Sequence, residues 1–226
     1  MALFEYFPNY IWNLSVAIAL ENGGKIGEIV DMCQPIKDAA ANGDDAGTGE
    51  FLVEWVKKAD TLVELAKEDL ASGREFSAGN KLKRASIYYV TAERMQGQGH
   101  PGRMETYKKA LTAFADGTGY ARDNIERVEI PYGEGKKLSA YLTQAEGEGP
   151  KPLVVFCNGL DSCKEMLWLG GFPYALAKRG VSCLCVDQPG TGEALRLEDL
   201  PATYASEEWA SAWVDWAVEQ PFVDPQ

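Results

Sequence analysis

Histidine is almost missing from this chain. The only one, His100, stands in the glycine-rich stretch "QGQGHPG", where the plain reading is a solvated surface side chain. A histidine-rich metal shell is therefore excluded. The cysteines offer no substitute. Cys33, Cys157, Cys163, Cys183 and Cys185 contain no Cys-x2-Cys pair, and Cys183-x-Cys185 has the wrong spacing for zinc, so no metal is expected. Five is an odd number, and Cys157, Cys183 and Cys185 lie in apolar runs, which predicts buried free thiols in a reducing, cytoplasmic setting. Positive charge is scarce: 22 basic residues face 34 acidic ones, for a net charge of −12. Such a surface disfavours nucleic acid and anionic membranes as partners. Long hydrophobic runs are absent too. "LSVAIAL" near the start is short and follows Glu5 instead of a basic segment, so neither a transmembrane helix nor a signal peptide is expected.

What is present is ordinary globular material, 46% hydrophobic and 25% charged over 226 residues, sufficient for one large domain or two small ones. The first 120 residues carry helical period. In "EFLVEWVKKADTLVELAKEDLASG" (50–73), Leu52, Trp55, Val56, Ala59, Leu62, Val63, Ala66 and Leu70 form one stripe that Gly73 ends. "KLKRASIYYVTAERMQ" (81–96) and "RMETYKKALTAFADG" (103–117) repeat the pattern, the latter ending at Gly117. Trp55, Tyr88 and Tyr89 suit either core or pocket. The segment before Gly23 is expected to be helical in part, and "NGDDAGTG" (42–49) reads as a loop.

Near residue 125 the period changes. Val128 and Ile130, then Leu138, Ala140 and Leu142, alternate on either side of the turn "YGEGKK". "PLVVFC" (152–157) and "VSCLCVD" (181–187) are continuous apolar runs, the mark of strands covered on both faces. Between them "LWLGGFPYALAKRG" (167–180) reads as one helix. "SEEWASAWVDWAVEQ" (206–220) reads as another, capped by Ser206, with Trp209, Trp213 and Trp216 on one face. The predicted fold class is α/β: a helical arm over 1–120, then a sheet with helices over 121–226. "VSCLCVD" should pair with one edge of "PLVVFC" through a crossover, the hairpin should lie beyond it, and the other edge of "PLVVFC" should stay open.

Function in such sheets gathers at the carboxyl ends of the strands. Two loops stand there, "NGLDSCKE" after Cys157 and "DQPGTGEA" after Val186. The first can aim backbone N–H groups at an oxyanion, or it can be a plain connection with Asn158-Gly159 as turn and Ser162 as cap. The second lacks the spacing and the lysine of nucleotide-binding loops, so no cofactor is expected; it reads as a wide turn using Gly190 and Gly192. Cys163 sits beside Lys164, yet no histidine is placed to serve as its base, and a buried thiol is the better reading.

"VVFCNGLDSCKEM" followed by "ALAKRGVSCLCVDQPGTGEA" resembles the α/β-hydrolases, in the branch with an N-terminal helical arm that includes dihydroxypseudooxynicotine hydrolases, fungal heptaketide hydrolases and the fermentation-respiration switch protein. The "RASIYYVTAE" helix is similar as well. The resemblance spans about residues 50–226 and implies the first half of an α/β-hydrolase sheet. It implies that Leu160, with Asp161 beside it, supplies an oxyanion-hole N–H. The implied chemistry is cleavage of a carbon–carbon bond in a diketone-, polyketide- or aromatic-ketone-like small molecule, or of an ester, by a serine, an acid and a histidine. No cofactor is implied, and a homodimer is possible. The chain departs from the pattern at one place: it holds no G-x-S-x-G elbow. The triad is thus expected beyond Gln226, supplied by the downstream half of the same polypeptide or by a second chain. The competing reading is a non-catalytic binding module that keeps half a hydrolase fold. A nucleotide-binding domain is a third, which the loops do not favour.

Overall fold

The computed structural model describes residues 6–41 and 49–225. The chain divides into two compact units, Met1–Asp123 and Asn124–Gln226.

The elements of the first unit are all helical among its described residues: α1 (Tyr10–Glu21), α2 (Ile26–Cys33), a 3-10 turn (Gln34–Ile36), α3 (Lys37–Ala41), α4 (Gly49–Ala71), α5 (Glu75–Arg94) and α6 (Arg103–Ala121). Asn9 caps α1 by accepting from the N–H groups of Ile11 and Trp12 at 2.8 and 3.2 Å. The stripe on α4 points inward, with Trp55, Ala59, Leu62 and Ala66 buried. Trp55, Tyr88 and Tyr89 all belong to the core, and the Trp55 ring stacks on Phe51 and meets Tyr88 edge-on. Most of the loop expected over 42–49 lies outside the described residues; Gly49 opens α4.

Gly117 does not end its helix. It sits inside α6 and faces Gly79 of α5. A methyl group at Gly79 would fall 2.6 Å from the Gly117 carbonyl oxygen, and one at Gly117 would fall 2.9 Å from the Lys83 nitrogen. The glycine pair lets two backbones approach where any side chain would part them. The true stop is Arg122, in the left-handed region at φ 55°.

The second unit is a four-stranded mixed sheet of β1 (Glu126–Tyr132), β2 (Lys136–Thr143), β3 (Leu153–Cys157) and β4 (Ser182–Val186), in the order β1-β2-β4-β3. β1 and β2 form an antiparallel hairpin, β2 runs antiparallel to β4, and β3 is parallel to β4 in the register Cys157↔Val186. That is the expected order. Ile130, Leu138, Ala140, Leu142, Leu184 and Val186 pack with Trp213 of α10 (Ser206–Val218), and Trp209 and Trp216 flank them. Each fully buried aliphatic side chain contributes about 1.5–3 kcal/mol there.

Three local expectations are corrected. The single helix over 167–180 is two short ones, α7 (Lys164–Leu169) and α8 (Phe172–Ala177). Gly171 adopts φ 80° and Pro173 starts α8, so no helix runs through. Ser206 is the first residue of α10, not its cap. Among the described strands only β4 is buried throughout. Leu153–Phe156 of β3 are half-buried, and Cys157 is exposed where a buried thiol was expected. The cause is position: β3 is an edge of this sheet, and apolar content predicts cover that only one neighbouring strand provides.

Candidate functional site

The two loops leave adjacent parallel strands side by side. The first runs from Asn158 to Cys163, the second from Asp187 to α9 (Gly192–Arg196). Their joint is a single carboxylate. Asp187 Oδ1 accepts from Asn158 Nδ2 at 2.6 Å and from the Lys164 N–H at 2.8 Å. Asp187 Oδ2 accepts from the Glu193 N–H at 2.9 Å and from Lys164 Nζ at 3.1 Å. One side chain therefore caps the first turns of both α7 and α9, a task expected of Ser162 for α7. Gly192 makes the second cap possible. At φ 40°, a methyl group on it would meet the Asp187 carboxylate at 2.0–2.2 Å.

Lys164 is wholly buried and answers three acids: Glu165 at 2.8 Å, Asp187 at 3.1 Å and Glu193 at 2.5 Å. Its ammonium also lies 5.0 Å from the centre of the Tyr141 ring. Arg127 of β1 adds a two-pronged contact to Glu193 at 2.8 and 3.0 Å, and Ser139 of β2 donates to the same carboxylate at 3.2 Å. Burial pulls the Glu193 carboxyl upward, but Lys164 and Arg127 outweigh it and hold the group below its ordinary value. Burial raises Glu165, and the neighbouring Asp187 and Glu193 carboxylates add to that rise against the pull of Lys164. Lys164 is the cation that this depth depends on, because removing it would leave Glu165 and part of the Asp187 and Glu193 charge unmatched away from water.

The backbone of the first loop is held from the other side. The Asn158 N–H donates to Gln188 Oε1 at 3.1 Å, and Gln188 Nε2 donates to the Asn158 carbonyl at 2.7 Å. Asn158 Nδ2 further donates to the Val186 carbonyl at 3.0 Å. Asn158 is thus more than turn chemistry: it is buried, and it ties β3 to β4 beyond their last rung. Next come Gly159, Leu160 and Asp161, all exposed, Leu160 by 89%, with Asp161 at φ 61°. None of their three N–H groups donates to another described residue. Cys163 is buried, and burial pushes its thiol well above the ordinary range, as an inert core thiol requires.

No described residue completes a nucleophile-and-base pair beside these donors. His100 is half-buried in the helical unit, its Nδ1 2.6 Å from the Pro101 carbonyl. No cluster of metal-ligating side chains occurs among the described residues. No helix among them is long and apolar enough to cross a membrane. A groove of about 450 Å³ does run beside α4, α5 and α6, but Asp60 on its wall is already engaged by the Tyr89 hydroxyl at 2.5 Å and by Lys109 at 3.2 Å. Sequence reasoning found both loops but missed Lys164, Asp187, Glu193 and Gln188 as their fastenings. The one signal was charge directly after buried strands.

A mixed sheet with a leading antiparallel hairpin, parallel β4 and β3, and paired loops at their carboxyl ends is the first half of an α/β-hydrolase sheet. The crystal structure of the 2,6-dihydroxy-pseudo-oxynicotine hydrolase has the same fold, with a TM-score of 0.71 at 21% identity over 92% of this chain and 55% of that one. The chain belongs to the FrsA-like esterase family, whose pattern ("Esterase FrsA-like") matches residues 45–209. Among individual proteins it is similar to the alpha/beta hydrolase gkaG of Penicillium citrinum, 26% identical over 89% of this chain and 47% of that protein. It is also similar to the 2,6-dihydropseudooxynicotine hydrolase of Paenarthrobacter nicotinovorans, 26% identical over 71% and 42%. The chain spans about half the length of the curated relatives it matches.

Proposed function

We propose that this chain is the N-terminal portion of a serine-type α/β-hydrolase. Its substrate is a small molecule, either a diketone-, polyketide- or aromatic-ketone-like compound cleaved at a carbon–carbon bond, or an ester. The Leu160 N–H, with that of Asp161 beside it, serves as an oxyanion donor at the end of β3. The nucleophile, the acid and the histidine come from polypeptide outside these 226 residues, with no cofactor. One reason is chemical: the N–H groups of Gly159, Leu160 and Asp161 are left without acceptors, and no nucleophile-and-base pair lies near them among the described residues.

The observation that carries this reading is a strand start. Beyond α10, the Phe222 carbonyl accepts from the Lys151 N–H at 2.9 Å, and the Asp224 N–H donates to the Lys151 carbonyl at 2.9 Å, a parallel bridge between Lys151 and Val223. The next residue, Pro152, bonds through its carbonyl to Ser182 at the start of β4. Successive residues of a strand direct their backbone groups to opposite sides. Val223 therefore lies on the side of β3 that β4 leaves free, in parallel orientation, where a further strand of the sheet would begin. In an α/β-hydrolase that strand leads to the nucleophile elbow.

The test is to express residues 1–226 alone and with the downstream polypeptide, and to assay both against a β-diketone and an aryl ester. The reading expects activity from the complete protein only, since loss of a triad leaves a residue of catalysis several orders of magnitude lower. Equal turnover by 1–226 alone, or none by the complete protein, would sink it. The second outcome would favour a binding module.

A further inference from the structure

We propose that Gln188 is a positioning residue, whose side-chain amide acts as an extra rung of the sheet and fixes the backbone that carries the Leu160 and Asp161 N–H groups. This rests on the hydrolase reading above. The β3–β4 ladder ends at Cys157↔Val186. One step further, a strand partner would have to offer Asn158 both an acceptor and a donor. No backbone does so, because the second loop turns away. The Gln188 amide, with the same N–H and C=O pair as a peptide, fills the place through its bonds of 3.1 and 2.7 Å.

The backbone that carries the amide is itself held still. The Gln188 backbone carbonyl accepts from both the Thr191 N–H and the Thr191 hydroxyl at 3.0 Å. The Gly190 N–H donates to the Leu200 carbonyl at 2.8 Å, and at φ 93° a methyl group on Gly190 would collide with Ala202 at 2.6 Å. The rung therefore projects from a closed turn. Asn158 has both backbone groups satisfied, and the unpaired N–H groups begin only at Gly159. An oxyanion donor works by standing in place before charge develops. The exposed 159–161 segment carries no internal bond that fixes it apart from the Ser162 N–H to the Gly159 carbonyl at 3.3 Å. The segment is held downstream by the Lys164 N–H on Asp187 and upstream by the Asn158–Gln188 pair, and the upstream pair stands next to those N–H groups and sets the direction in which they leave β3.

The experiment uses the complete protein and an aryl ester, with Gln188→Met and Gln188→Glu beside the parent. Gln188→Met removes both bonds at nearly constant volume. We expect kcat to fall about tenfold to a hundredfold, the cost of a small misplacement, with KM within about twofold. Affinity for an arylboronic acid, which mimics the tetrahedral adduct, should fall by the same factor as kcat/KM. Gln188→Glu gives an internal rescue. Its ionised carboxylate accepts from Asn158 N–H but repels the Asn158 carbonyl, whereas its protonated form again offers one donor and one acceptor. The ratio of its kcat to that of the parent should therefore climb as pH falls, a change that a merely structural role would not produce. An active parent with kcat unchanged in Gln188→Met, or a Gln188→Glu ratio flat with pH, overturns the positioning role alone. A parent inactive on both esters and diketones overturns the hydrolase reading, and the positioning role with it. Should Gln188→Met fail to fold, the pH-dependent ratio in Gln188→Glu decides the matter.

Discussion

Lys164→Met is the sharpest perturbation the sheet unit offers. Lys164 is wholly buried and faces Glu165, Asp187 and Glu193 at 2.8, 3.1 and 2.5 Å. Methionine fills nearly the same volume, so packing is conserved and only charge and hydrogen bonds are lost. Asp187 keeps three of its four donors and Glu193 keeps Arg127, but Glu165 loses its ion-pair partner inside the protein. Removing one member of a buried ionic set costs about 3–5 kcal/mol. In a cooperative unit of about 150–250 residues that is a fall in Tm of roughly 6–20 °C. Scanning calorimetry or urea titration followed by circular dichroism measures it. A double-mutant cycle with Asp187→Asn isolates the pair: the double variant should be more stable than the sum of the two single losses by about 0.5–3 kcal/mol. A Lys164→Met protein melting within about 2 °C of the parent would show that the cluster is dispensable, and the account of how the two loops are joined would have to be withdrawn.

Further expectations follow from the same structure. Gly79→Ala should destabilise by about 1–3 kcal/mol, because its methyl group meets the Gly117 carbonyl at 2.6 Å, whereas Gly119→Ala in the same helix pair meets nothing within 4 Å and should stabilise by about 0.5–1 kcal/mol; thermal melts that give both changes the same sign would contradict the glycine crossing. Burial raises the Glu165 carboxyl in the folded state, so its contribution is intact below the ordinary carboxylate range and is lost as pH rises through the raised value. Glu165→Gln, which mimics the protonated form, should match the parent in acid and exceed it in mild alkali; parallel urea midpoints across pH would rule this out. The Glu193 carboxyl is lowered, so its contribution is present above the ordinary range and fades as pH falls through the lowered value, and a Glu193→Gln protein should lose less stability than the parent on acidification. With Cys157 exposed and Cys33, Cys163, Cys183 and Cys185 buried, a disulfide reagent followed by peptide mapping should label Cys157 in the folded protein and the other four only after denaturation.

The strand order was legible because it depends on features a sequence displays directly. The continuous runs "PLVVFC" and "VSCLCVD" and the alternating hairpin before them leave few ways to build a sheet. The helices of the first unit were legible for the same reason, since period 3.6 is a local signal. Gly117 misled because a glycine that ends a helix and one that lets two helices touch look alike until the partner, Gly79, is known. Gly170-Gly171 misled in the opposite sense: the apolar content of "LWLGGFPYALAKRG" hid a break that the dipeptide and Pro173 impose. Leu160 and Asp161 could be placed at the end of β3 from their position after Asn158-Gly159. The fastenings could not be found that way. Lys164, Asp187 and Glu193 look like ordinary surface charge, and only pairing across 23 and 29 residues of chain reveals that they are buried together, with the more exposed Arg127 joined to them across 66.

The carboxylate that caps two helices at once has a consequence for how this sheet can change over generations. Asp187 answers to a lysine on one loop and a glutamate N–H on the other, and any side chain in place of Gly192 would collide with its carboxylate. A lineage cannot trade these positions singly, because each intermediate holds an unmatched charge away from water. Drift at 164, 187 and 193 is therefore locked into concerted steps. Gln188, an uncharged amide on the rim of the same turn, can be exchanged without leaving a charge unmatched. The turn thus separates two kinds of inheritance within a few residues: an ionic frame whose members must change together, and a neutral neighbour that can change without disturbing the charge balance.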